Sequence, residues 1–127
     1  MVGILILSHS NLVAKGLLDI CKQIAKDAHI ESVGGVEGRL GLDVEKALKA
    51  LNRLLDENDS VIIYSDIGST VLASKSIKEM SLRPNSVYIA NAPLVEGAIT
   101  GSVQTTLTNN VEEILEESKK ACLMDKN

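Results

Sequence analysis

Two histidines stand among 127 residues, and one of them, His9, directly follows an apolar run of strand length, Val2 to Leu7 (VGILIL), inside the polar cluster Ser8-His9-Ser10-Asn11. A neutral imidazole is an available nucleophile near neutral pH, so a histidine where a buried strand opens into a loop is a candidate phosphoryl carrier. Asp66 occupies the equivalent place after a second apolar run, Val61 to Tyr64, and Gly68-Ser69-Thr70 follows it. A carboxylate bonded to one ring nitrogen would fix the tautomer and raise the basicity of the other; which nitrogen takes which role stays open at this point. Backbone N–H groups at Gly68, Ser69 and Thr70, the hydroxyls of Ser69 and Thr70, and Ser10 beside His9 would suit the anionic group once it is transferred.

Each of these residues also has a plain reading. Asp66 serves equally as a helix cap, Gly68 as a turn residue, and Ser8 and Ser10 as loop formers. Glu96 reads as a first-turn acid opposing a helix dipole, and His29, between a helix end and an edge strand, as a solvated residue. The glycine-rich stretch 34 to 41 lacks both GxxxxGK[ST] and a GxGxxG directly after the first strand, which gives nucleotide binding little support. Neither histidine has metal-ligand spacing to a cysteine or glutamate, so no metal is expected, and without a Gly-x-Ser-x-Gly elbow a hydrolase triad is poorly supported. Cys21 and Cys122 are expected to be free reduced thiols.

The elements that must position these groups alternate along the chain. Strand Val2 to Leu7 is followed by a helix from Leu12 to about Ala28, where Leu12, Val13, Leu17, Ile20 and Ile24 recur at helical spacing. A weak strand over 30 to 33, the glycine loop and a helix over 42 to 55 make a second unit. Strand 61 to 64 and a helix over 71 to 80 make a third. A turn at 83 to 85, a strand over 86 to 90, a helix from Leu94 to about Leu107 and a last helix over 111 to 121 complete the chain. Such alternation implies right-handed crossovers and an α/β fold of three layers, with a mostly parallel central sheet of about four or five strands between helices. In sheets of this kind reacting groups gather beyond the carboxyl ends of the strands, which is where His9, Asp66 and the loop Asn91-Ala92-Pro93 fall.

Composition limits the remaining classes. With 45% hydrophobic residues but only 2% aromatic, the interior must be filled by Val, Ile, Leu and Ala. The length is that of one domain, so residues 1–127 are expected to form a single unit. A net charge of −4 and a pI near 5.1 leave no basic patch for a polynucleotide, and no nucleic-acid partner is expected. Neither a signal peptide nor a membrane-spanning run is read, so a cytoplasmic, membrane-free protein is expected.

The segments VGILILSHS, YSDIGSTVLAS and NAPLVEGAITGSV, in that order, resemble the phosphotransfer subunit of dihydroxyacetone kinases driven by the phosphoenolpyruvate-dependent phosphotransferase system, from Met1 to about Val103. The resemblance implies the fold of the mannose-class IIA domains and a homodimer. It implies that His9 accepts a phosphoryl group from phospho-HPr, with Asp66 as its orienting partner. It also implies delivery to ADP held on the nucleotide-binding kinase subunit, with no cofactor bound directly to this chain. One departure stands out: Leu42 lies where a small hydroxyl residue is expected, which weakens any polar contribution of that loop. Fused HPr-like and enzyme-I-like domains of some relatives have no counterpart here, so separate proteins are expected to supply the phosphoryl group. Two alternatives share parts of this reading: a IIA domain of a mannose-class sugar transporter, passing the group to a IIB domain, and a non-catalytic domain that binds a small anion.

Overall fold

The computed structural model describes residues 1–123, 125 and 126. Strands β1 (Val2–Ser8), β2 (Ile30–Gly34), β3 (Ser60–Ser65) and β4 (Val87–Ile89) alternate with helices α1 (Asn11–Ile24), α2 (Val44–Glu57), α3 (Gly68–Met80), α4 (Leu94–Thr105) and α5 (Val111–Lys120). The strands lie in the order β2-β1-β3-β4, every neighbouring pair parallel. The sheet therefore has four strands among the described residues, at the lower end of the expected number.

The register explains the continuous apolar runs. A central strand with helices on both faces has no wet side, and residues 2 to 7 of β1 are all buried. Leu5, Leu7, Val61, Ile63 and Val87 face α2 and α3, meeting Ala47, Leu51 and Ile77. Val2, Ile4, Ile6, Ile62 and Tyr64 face the other layer, meeting Leu17 and Cys21 of α1, Ala98 of α4 and Ile114 of α5. Each fully buried aliphatic side chain contributes roughly 1.5–3 kcal/mol by leaving water, so the two cores anchor β1 and β3 more firmly than any loop contact could.

Helix starts follow side-chain caps: Ser10, Asp43 and Asn110 each accept a backbone N–H three residues on, from Val13, Lys46 and Glu113. Helix α1 stops at Ile24, short of the expected Ala28, and α4 stops at Thr105, short of Leu107. Helix α3 begins at Gly68, three residues before the expected Val71, because the carbonyl of Ile67 already accepts the Thr70 N–H and closes a first turn. The glycine-rich loop is tied down. Val36 and Arg39 exchange two backbone hydrogen bonds across Glu37 and Gly38, both at positive φ, and the Gly41 N–H donates to the carbonyl of His9 at 2.8 Å.

Strand order decides where chemistry sits. From β1 the chain moves outward to β2, returns past β1 to β3, then continues to β4, so the direction of winding reverses between β1 and β3. At that switch point the loops diverge and leave a crevice beyond the strand ends. Ser8 closes β1 and Ser65 closes β3, which sets His9 and Asp66 side by side.

Candidate functional site

The carboxylate of Asp66 is the hub of the crevice. Its Oδ1 lies 3.0 Å from His9 Nδ1 and accepts the Ile67 N–H at 2.8 Å and the Thr70 hydroxyl at 2.7 Å. Its Oδ2 accepts the Ser8 hydroxyl at 2.8 Å and the backbone N–H of His9 at 3.0 Å. Partial burial on its own would raise the carboxyl's pKa. The hydrogen bonds from Thr70, the His9 and Ile67 N–H groups and Ser8 outweigh that effect and hold it well below the usual carboxylate range.

An ionised Asp66 settles the tautomer of His9. Nδ1 must carry the proton it donates to Oδ1, which leaves the lone pair on Nε2. Nε2 meets the Ser69 hydroxyl at 2.5 Å, and with no proton of its own it accepts there. Both His9 and Asp66 keep about a fifth of their side-chain surface in water. The ring is thus held at Nδ1 while part of it stays in water, and Nε2 is the nitrogen turned away from the carboxylate.

The start of α3 frames that nitrogen. Among the described residues no acceptor takes the N–H of Gly68 or Ser69, as is usual in a helix's first turn, and the Ser69 contact puts this end of the helix against Nε2. Thr70 departs from its expected role. Its N–H is spent on Ile67 and its hydroxyl points at Ile67 and Asp66, with 1% of the residue exposed, so it braces the carboxylate instead of facing an anion. Ser10 caps α1 with its side chain. Ser8, read from sequence as a loop former, is a buried member of the site; its direct bond to Asp66 depends on strand register, which composition cannot reveal.

Other sequence readings fall elsewhere. His29 is half-buried at the opposite end of the sheet and bonded to Asn58 Oδ1 at 3.1 Å, so it is neither part of the site nor simply solvated. Glu96 sits in the first turn of α4 and pairs with Lys126 at 3.3 Å. Leu42, the departure in the loop, packs against the α2 side of the core. Cys21 is buried and Cys122 exposed, both free. Three large apolar side chains close in the chain to residues of the crevice stand in water: Leu12 in the first turn of α1, Leu40 beside the Gly41 anchor, and Ile67 after Asp66, exposed by 80%, 79% and 68%.

A family model described as "PTS system fructose IIA component" (EIIA-man) matches residues 3–115, which include every residue of this crevice. The chain belongs to the EIIA-man family. It is 35% identical to the phosphoryl donor subunit DhaM of phosphoenolpyruvate-dependent dihydroxyacetone kinase 1 of Listeria innocua, over 88% of each chain. It is 30% identical to the DhaM phosphotransferase subunit of Lactococcus lactis, over 93% of this chain and 94% of that one. Against the DhaM of Providencia stuartii, 32% identical, it spans only 27% of the relative's length. Among solved structures, a protein of unknown function superposes with a TM-score of 0.82 at 29% identity, over 94% of this chain and 93% of that one. The EIIA component of the phosphotransferase system of Streptococcus agalactiae superposes with a TM-score of 0.72 at 14% identity, over 95% and 92%, a likeness of fold alone. No helix among the described residues is long and apolar enough to cross a membrane.

Proposed function

We propose that this chain is a phosphohistidine carrier in which Nε2 of His9 takes a phosphoryl group from phospho-HPr and passes it to ADP held on a dihydroxyacetone kinase subunit. The observation that carries this reading is the pairing of an ionised Asp66 with Nδ1, which turns the lone pair of Nε2 outward beside the free N–H groups of Gly68 and Ser69. In the accepting step the P–N bond of the donor histidine breaks as a new one forms to Nε2, while Nδ1 keeps its proton. The positive charge that spreads over the ring then faces the Asp66 carboxylate, and Ser69 turns its hydroxyl from the nitrogen to a phosphoryl oxygen. In the delivering step a β-phosphate oxygen of ADP displaces the imidazole, and the ring returns to the tautomer it started from.

The carrier acts as one unit over residues 1–127, in the cytoplasm and as the homodimer that the resemblance implies. It binds neither nucleotide nor triose. The exposed trio Leu12, Leu40 and Ile67 supports protein partners over small molecules, since an apolar rim around an open nucleophile suits docking of a surface. The DhaM relatives support the kinase as acceptor, while the family model's description as a sugar IIA component supports a second reading, delivery to a transporter IIB domain.

One experiment separates these. The phosphorylated chain is mixed with ADP-loaded kinase subunits and dihydroxyacetone, with free magnesium-ADP, or with a mannose-class IIB domain. Triose phosphate in the first mixture and no ATP in the second is the expected result. Efficient ATP formation from free ADP overturns the relay, and transfer to IIB with none to the kinase replaces the acceptor.

A further inference from the structure

Strand β2 is an edge of the sheet, and the register shows what it leaves open. The Ile4 N–H donates to the carbonyl of His29 and Ile4 aligns with Ile30, so residues 29, 31 and 33 turn their backbone groups to β1. Ile30 and Ser32 turn theirs outward, and no group among the described residues pairs with them. A cavity of about 400 Å³ lies over this edge, between one face of α1 (Ala14, Lys15 and Leu18) and one face of α2 (Lys46, Lys49 and Arg53).

Its charge runs against that of the molecule. The chain carries −4, yet four cations line this groove. Arg53 pairs with Glu31 and Lys49 with Glu45, while Lys15 and Lys46 form no ion pair among the described residues. The two walls also differ. Glu31 meets Arg53, so one side of the edge faces the cationic wall of α2; Ile30 packs in the other core, with Leu18 of α1.

We propose that this groove is a docking site for an extended acidic segment of a partner protein, which adds to the sheet as a strand beside β2. Main-chain groups of the segment pair with Ile30 and Ser32. Acidic side chains at alternate positions face Lys46, Lys49 and Arg53, and small apolar ones between them face Ala14 and Leu18. A second copy paired edge to edge would set these cations against their own counterparts, which disfavours it as the occupant. None of Ser8, His9, Asp66, Ser69 and Thr70 lines this groove, and the proposal does not depend on the phosphoryl reading.

The test titrates the full chain, labelled with nitrogen-15, with the capped peptide acetyl-Glu-Val-Glu-Val-Glu-amide. The Ile30 and Ser32 amides are expected to shift and exchange more slowly, and a Lys46→Glu/Lys49→Glu double variant to bind at least about tenfold more weakly. Two forms of the peptide, N-methylated at one or the other alternate set of residues, are also compared. One is expected to lose at least about tenfold and the other to match the parent, because only one set of N–H groups faces β2. Equal binding of both forms, equal competition by pyrophosphate, shifts at another surface, or concentration-dependent shifts of Ile30 and Ser32 without peptide would each overturn the proposal. The His9→Ala variant is expected to bind the peptide unchanged, so failure here and failure of the phosphoryl reading are separable.

Discussion

Asp66 grips His9 twice, one carboxylate oxygen accepting the backbone N–H and the other facing Nδ1, both at 3.0 Å. The double hold fixes loop and ring together, and under the proposed function the same carboxylate stabilises the charge the ring would gain on phosphorylation. His9→Ala is therefore expected to abolish phosphoryl acceptance, and Asp66→Ala to slow it by about 10²-fold or more with the fold retained. Labelling from phosphoenolpyruvate through enzyme I and HPr checks both. The label should be lost in acid and kept in base, as a P–N bond requires; acid-stable label on Ser8, Ser10, Ser69 or Thr70 with none on His9 would count against the carrier.

Thr70→Val keeps the shape of a buried side chain but removes one of the donors that hold Asp66 ionised. The folded-state pKa of Asp66 lies below its unfolded value, so the carboxylate adds stability above the ordinary carboxylate range, and this is lost as pH falls below about 5. Losing the Thr70 bond brings the pKa back toward the ordinary value and shrinks that contribution. The variant is expected to lose about 1 kcal/mol at neutral pH and to unfold at a higher pH in acid titrations followed by circular dichroism.

Much of this was legible in sequence because α/β alternation is written in apolar runs. Residues 2 to 7 and 61 to 64 read as buried strands, and the rule that sites lie beyond strand ends brought His9 and Asp66 together. Element boundaries were less legible. Gly68, Ser69 and Thr70 are poor helix formers, and they open α3 only because Ile67 and Asp66 take up the groups that would otherwise favour a turn. The role of Ser8 and the reversal of Thr70 from anion ligand to brace depend on the β1–β3 register, which no local pattern encodes.

Gly101 faces a limit of space. A Cβ there would overlap the hydroxyl of Tyr64, whose ring is buried beneath α4 and whose oxygen pairs with Ser118 at 2.5 Å. Burial pushes the Tyr64 pKa up to about 12, so the phenol stays neutral and needs that partner. Gly101→Ala is expected to destabilise the protein by about 1–3 kcal/mol by forcing α4 off the sheet, measured by urea unfolding. Gly16→Ala is the control: open space surrounds that helical position, and the change should be neutral or stabilising.

The apolar rim gives the last expectation. Leu12, Leu40 and Ile67 come from three separate segments, each fixed to the site by a different contact: Leu12 through the Ser10 cap, Leu40 through the Gly41 bond to the His9 carbonyl, Ile67 through its own N–H on Asp66. Since they are mostly in water, changing them costs the fold little. Under the proposed function, a partner that seats a donor histidine or a bound nucleotide over Nε2 comes against these segments, and burying such side chains would supply the binding that holds the reacting atoms in line. Leu40→Asp with Ile67→Asp is expected to raise the KM for phospho-HPr about tenfold or more, leaving kcat at saturation and the melting temperature close to wild type. A lowered kcat with unchanged KM would place these residues in the chemistry of the site instead of on its docking face.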